Sequence, residues 1–220
     1  MMNINELYAI ALLSRDKNEL IGIIRSMTPG TIEASNIIYR LERNKIFDST
    51  LRLEVACKMP ERYRSFEIVD DIIACAANTE LMKRLYDADI NHYGAFVAVQ
   101  ITEPHEIEKM YNSGIYEIQC AAASNFHASP EFLKKIIDQS DNEYIKDLAC
   151  EVLQVLSVRQ TDNPDLIEEM YKAGGYDVRL AAVSNSYARE EFLESVIFDE
   201  DAPEIIRERA IETFEKISST

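Results

Sequence analysis

Ile107-Glu108-Lys109-Met110-Tyr111-Asn112-Ser113-Gly114-Ile115-Tyr116 returns sixty residues later as Ile167-Glu168-Glu169-Met170-Tyr171-Lys172-Ala173-Gly174-Gly175-Tyr176. The correspondence continues: Ala121-Ala122, Ser124-Asn125 and Glu131-Phe132-Leu133 reappear as Ala181-Ala182, Ser184-Asn185 and Glu191-Phe192-Leu193. A chain copied at a fixed interval is read as small units that stack because none can bury its apolar face alone.

Finer copies lie inside the long one. Thr79-Glu80-Leu81-Met82, Pro104-His105-Glu106-Ile107, Ser129-Pro130-Glu131-Phe132, Pro164-Asp165-Leu166-Ile167 and Arg189-Glu190-Glu191-Phe192 read as five related helix starts. Proline suits the first helical position because its missing N–H has no intrahelical acceptor there, and Ser129, Glu103 and Asn163 stand where an N-cap belongs. Leu166, Ile167, Met170 and Tyr171 recur at helical spacing and predict one apolar face. Gly114 and Gly174 fall where a left-handed residue would end the helix. A second helix is then expected from about Glu117 or Asp177, its alanines allowing close approach to neighbours.

The string Tyr176-Asp177-Val178-Arg179-Leu180-Ala181-Ala182-Val183-Ser184-Asn185, followed by Glu190-Glu191-Phe192-Leu193, resembles the variant leucine-rich repeat. The copy from Tyr116 to Ile137 is similar, and the resemblance spans roughly residues 67 to 217. It implies an all-α fold: a right-handed α-solenoid of short helical repeats related to HEAT and armadillo arrays, used mainly for binding. Two departures are visible. The unit from Pro130 to Asn163 is longer by about eight residues, which predicts one lengthened helix around Leu148 to Leu156. The iron–sulfur cysteine cluster of one branch of the family has no counterpart here.

The first third matches these units poorly. Leu7 to Leu13, Leu20 to Arg25, Thr31 to Glu42 and Leu51 to Lys58 read as helices, separated by turns at Ser14 to Asn18, Thr28-Pro29-Gly30 and Asp48-Ser49-Thr50. Residues 1–66 are therefore expected to form an N-terminal helical cap or diverged repeats, and 67–220 one continuous solenoid of variant leucine-rich, HEAT-like repeats.

Composition bounds the rest. With 220 residues, 47% of them hydrophobic, the chain can bury a substantial core. No apolar run reaches the length of a bilayer span, and the start lacks the basic and apolar segments of a secretory signal, so a cytoplasmic protein without membrane contact is expected. Cys57, Cys75, Cys120 and Cys150 lie far apart in apolar or alanine-rich contexts, as buried thiols do.

Charge is the main pointer to partners. The formal net charge is −16, yet residues 1–66 hold ten Lys or Arg against eight Asp or Glu, while 67–220 hold thirteen against thirty-one. Arg40, Arg43, Lys45, Arg52, Lys58, Arg62 and Arg64 form a candidate basic patch; Asp138, Asp141, Glu143, Asp199, Glu200, Asp201 and Glu204 form the candidate acidic, partner-binding set. An acidic surface solubilises a sticky array, and it also attracts a basic partner. It excludes direct nucleic-acid binding through that region, because phosphate neutralisation needs an excess of cations. An acidic helical surface can instead imitate the phosphate array and inhibit a basic DNA- or RNA-binding protein. The opposed charge of the two ends further suggests head-to-tail self-association.

Nothing in the sequence marks chemistry. Tyr86, Tyr111 and Tyr171 share one repeat position and read as packing residues. Asn125 and Asn185 follow an alanine-rich helix, where asparagine tolerates the left-handed conformation and its amide can satisfy helix-end carbonyls. Cys120 and His127 could be imagined as nucleophile and base, but the second copy has Leu180 and Tyr187 there. His92, His105 and His127 lack metal-ligand spacing, and phosphate-cradling and nucleophile-elbow motifs are absent. A non-enzymatic protein-interaction module without cofactor or metal is the expectation, ahead of the nucleic-acid-mimicking inhibitor and, behind both, an uncharacterised enzyme.

Overall fold

The computed structural model describes residues 3–63 and 67–219, and among these it is all-helical, with fifteen α-helices and no strand. None of these helices is long and apolar enough to cross a membrane. Contacts divide the chain at Ala128/Ser129 into two compact units, whereas the charge composition changes near residue 66.

The Met1–Ala128 unit holds α1 (Ile4–Leu13), α2 (Lys17–Ser26), α3 (Ile32–Leu41), α4 (Ser49–Lys58), a 3-10 turn (Pro60–Arg62), α5 (Val69–Ala74), α6 (Thr79–Ala88), α7 (Ile90–Gln100), α8 (Pro104–Tyr111) and α9 (Tyr116–Ala123). The four helices expected in the first third are all present, with starts set by caps. Asn3 accepts from the Asn5 N–H while Glu6 reaches back to the Asn3 N–H; Asp16, Thr31 and Asp48 accept from first-turn N–H groups of α2, α3 and α4. Each satisfies donors that a bare helix start leaves orphaned. Leu20, Ile24, Ile38, Leu41, Leu51 and Val55 form the core beneath these helices.

The Ser129–Thr220 unit holds α10 (Pro130–Gln139), α11 (Glu143–Gln160), α12 (Pro164–Ala173), α13 (Tyr176–Val183), α14 (Glu190–Ile197) and α15 (Glu204–Ser218). The extra residues after Pro130 do lengthen one helix, since α11 runs for 18 residues. Ser129 and Asn163 cap α10 and α12 as expected, whereas Glu103 makes no side-chain cap on α8. Val155, Val158, Ile167, Leu193 and Ile206 centre the core.

One hydrogen-bonded interlock occurs three times. Asn125, fully buried, donates its Nδ2 to the carbonyls of Ala98 and Ile101, both at 2.8 Å, and its Oδ1 accepts from the His127 N–H at 2.7 Å. Asn185 repeats this on Val158 and Thr161 at 2.6 and 2.9 Å, with Tyr187 N–H at 2.8 Å. Asn44 does the same on Ala11 and Ser14, both at 3.0 Å, with Ile46 N–H at 3.0 Å. Each asparagine thus ties the end of one helix (α1, α7, α11) to the turn after another (α3, α9, α13), satisfying carbonyls that the helix end leaves open. The positions four residues on, Asp48, Ser129 and Arg189, are in every case the next N-cap. None of these asparagines takes the left-handed conformation that the residue tolerates, since no residue other than glycine has positive φ among those described. The amide chemistry, rather than backbone tolerance, is what the position uses.

The third copy lies where sequence shows no readable repeat. Asp16 to Asn44 spans twenty-eight positions, against twenty-two from Glu103 to Asn125 and from Asn163 to Asn185, so residues added across α2, α3 and the segments that follow them hide the match.

The paired glycines differ from expectation. Gly114 has φ of 74° and ends its helix left-handed, but Gly174 has φ of −86°. Gly174 is needed for space instead: an added Cβ would overlap the β-branched Val178 and sit 2.7 Å from the Met170 carbonyl oxygen. Backbone cannot swing aside as a side-chain tip can. Gly174→Ala is therefore expected to lower stability by about 1–3 kcal/mol in urea unfolding, whereas Gly22→Ala, with open space around it and helical backbone, should stabilise slightly.

Candidate functional site

The seven acidic residues singled out from sequence are all exposed and fall in two connections of the Ser129–Thr220 unit. Asp138, Asp141 and Glu143 flank the α10–α11 connection; Asp199, Glu200, Asp201 and Glu204 flank that between α14 and α15. The two connections are equivalent, each leading into a helix whose first residue is a glutamate and whose second is an exposed apolar or aromatic group, Tyr144 or Ile205. Acids there favour the positive end of the helix. Only Glu143 forms an ion pair, with Lys146 at 2.8 Å; the other six meet no cation within salt-bridge distance among the described residues. In the midst of the second group, Phe198 is 81% exposed and Ile205 58%.

Of the basic candidates, Arg52 and Arg62 are paired with carboxylates of the fold, whereas, among the described residues, Arg40, Arg43 and Lys45 are not. Arg52 is spent on Asp71, which is nearly buried, at 3.0 Å. Arg62 donates to Glu42 from Nε and Nη2, and Glu42 also accepts from the Tyr63 hydroxyl at 2.8 Å. Burial and the Glu42 carboxylate together push the Tyr63 phenol up. Lys58 donates to the Arg25 carbonyl. Arg40 lies over the Tyr8 ring at 4.1 Å and Arg43 over Tyr39 at 3.4 Å. Lys45 is exposed, and Arg64 lies outside the described residues. Glu42, Phe47, Arg52, Arg62, Tyr63 and Glu67 line a cavity of about 460 Å³ whose two arginines are each paired with a carboxylate.

Sequence reading missed the most heavily charged interior point. Glu54 of α4, its side chain 3% exposed, is held by two arginines. Arg84 of α6 donates from Nη1 and Nη2, both at 2.8 Å, and Arg25 of α2 from Nη2 at 2.6 Å and Nε at 3.2 Å. Burial alone would raise the Glu54 pKa, but the hydrogen bonds and charges of Arg84 and Arg25 outweigh it and hold the carboxyl below its ordinary value. The signal was present: Glu54 interrupts an otherwise apolar run, Leu53-Glu54-Val55-Ala56. With its lone pairs taken by guanidinium donors, this carboxylate ties α2, α4 and α6 together and has no capacity left for a substrate. The adjacent Cys57 thiol is pushed up to about 12 by burial, so it stays protonated and unreactive near neutral pH.

Tyr171 packs edge-on against Phe192 with ring centroids 5.2 Å apart, and no hydrogen bond joins Cys120 to His127. A smaller cleft of about 190 Å³ between α6 and α8 is walled by Tyr86 and Met110, and its lysines Lys83 and Lys109 converge on Glu106 at 2.9 and 3.8 Å. Among the described residues no three His, Cys, Asp or Glu side chains converge as metal ligands. No protein-family model, no curated protein and no solved structure matches the chain.

Proposed function

We propose that this chain is a non-enzymatic protein-interaction module, a right-handed α-solenoid of short repeats in the manner of variant leucine-rich and HEAT-like arrays. Its Ser129–Thr220 unit offers an acid-rimmed apolar edge to a basic protein. The observation that carries this reading is Phe198, 81% exposed beside Asp199, Glu200, Asp201 and Glu204, none of which meets a cation within salt-bridge distance among the described residues. An exposed aromatic ring gains roughly 1.5–3 kcal/mol when a partner pocket buries it. Unpaired carboxylates around it attract a cationic surface over a Debye length and reject an anionic one. Anchor and rim together form the ordinary anatomy of a binding hot spot. The recurrence of acids at the equivalent α10–α11 connection favours a second reading with the same chemistry, in which the surface imitates nucleic acid on a DNA- or RNA-binding protein.

Affinity capture from a cell extract tests this, with the native chain compared against D199N/E200Q/D201N/E204Q and against F198A. Basic proteins are expected on the native chain, released by salt and lost from both variants; release by added DNA identifies the nucleic-acid-mimicking reading. An identical set of captured proteins on all three baits contradicts the proposal.

A further inference from the structure

We infer that a second copy of this chain is one such basic partner, with the outer face of α1 and α3 on one copy receiving the α14–α15 connection of another. The inference rests on the reading of that connection as a docking edge. Its ground is an apolar face left open where the corresponding helix elsewhere is covered. α7 occupies in its interlock the place that α1 occupies in the first, and α7 packs on α5 and α6 as well as on α8 and α9. The principal contacts of α1 are with α2 and α3. Although its sequence, Ile-Asn-Glu-Leu-Tyr-Ala-Ile-Ala-Leu-Leu, is largely apolar, α1 buries only Ala11 outright; Ile4, Leu12 and Leu13 are exposed, Leu13 to 65%. α3 adds Ile32, 78% exposed, and Tyr39 one helical face along from it.

The charge on this face fits one kind of occupant. Arg40 over the Tyr8 ring and Arg43 over the Tyr39 ring each give one N–H to a carbonyl of α3 and meet no carboxylate among the described residues, and Lys45 follows them. A cationic, aromatic face with unburied aliphatic residues is the complement of Phe198 and Ile205 set among Asp199, Glu200, Asp201 and Glu204. Guanidiniums seated over rings still have N–H donors to offer to carboxylates. Because the two surfaces are different patches, the contact is heterologous and propagates: each copy can receive one neighbour and dock on another, giving short chains or a ring.

Sedimentation of the full chain from about 10 µM to about 1 mM, at an ionic strength near 20 mM where the Debye length is roughly 20 Å, is the test. Weight-average mass is expected to rise with concentration and to return to the monomer value in high salt. R43E/K45E and E200K/D201K are each expected to stay monomeric, and an equimolar mixture of the two to associate again, since each then carries the complement of the other. All four positions are exposed, and far-UV circular dichroism checks that the helices persist; Ile32→Ser replaces the first variant should its helical signal fall. A native chain that remains monomeric at the highest concentration and lowest salt overturns the inference, as does association indifferent to both charge reversals or a mixture that fails to associate. Binding of a synthetic lysine-rich peptide, measured in parallel, separates the two ideas: a monomer that still binds the peptide through the Phe198 connection refutes self-docking alone, and one that binds neither refutes both.

Discussion

Replacing Arg25 and Arg84 together by methionine is expected to lower the unfolding free energy of the Met1–Ala128 unit by about 3–5 kcal/mol in urea denaturation, because a buried carboxylate is left without a counter-charge. Glu54→Met is expected to cost less. It leaves two arginines that are 54% and 29% exposed by side chain and can turn toward water. Adding Glu54→Met to the double variant should then recover part of the loss, since no charge remains to be buried. The pH dependence has a definite sign. The Glu54 carboxyl titrates lower in the folded than in the unfolded chain, so its contribution is complete above the ordinary glutamate range and disappears as pH falls through the depressed folded value. The native chain should lose stability in acid more steeply than the triple methionine variant.

Asn185→Ala is expected to destabilise the Ser129–Thr220 unit by roughly 2–4 kcal/mol, since two carbonyls and one N–H lose their partner at a buried site and each unsatisfied group costs about 1–3 kcal/mol before water re-enters. Asn185→Asp should be no better than alanine. A carboxylate can still accept from the Tyr187 N–H but faces the carbonyls of Val158 and Thr161 with no proton to give. Asn125 and Asn44 should behave alike in the Met1–Ala128 unit, since their bonds follow the same pattern. Thermal unfolding of the three alanine variants measures this, and a change within about 0.5 kcal/mol, the range of ordinary surface substitutions, would contradict the structural role.

Which features were legible in the sequence follows from how local their causes are. The helices of the first third and the caps Ser129 and Asn163 depend on residues within one turn of each other, and their pattern predicts them well. The lengthened α11 was equally readable, as an insertion within a copied frame. The exceptions have distant causes. Gly174 looks like Gly114 in the sequence, but the space it needs is set by Val178 in the next helix. The third interlock was hidden because added residues displace Asn44 from the frame of its counterparts. The basic candidates were read from proximity in sequence, which does not show that Arg52 and Arg62 turn onto Asp71 and Glu42 while Arg40 and Arg43 lie over Tyr8 and Tyr39. The acidic set fared differently: acids crowded into short connections have few cations within reach, so their exposure followed from position alone.

In the proposed binding mode the acids around Phe198 act through screened attraction and Phe198 acts through burial. The most direct measurement is the dissociation constant of a captured partner as a function of salt, for the native chain, for D199N/E200Q/D201N/E204Q and for F198A. The native affinity is expected to weaken at least tenfold between about 50 and 300 mM salt, the neutralised variant to show a much flatter dependence, and F198A to lose about tenfold to a hundredfold at every salt concentration. An affinity that ignores salt and survives all of these substitutions would contradict a role for this edge in binding.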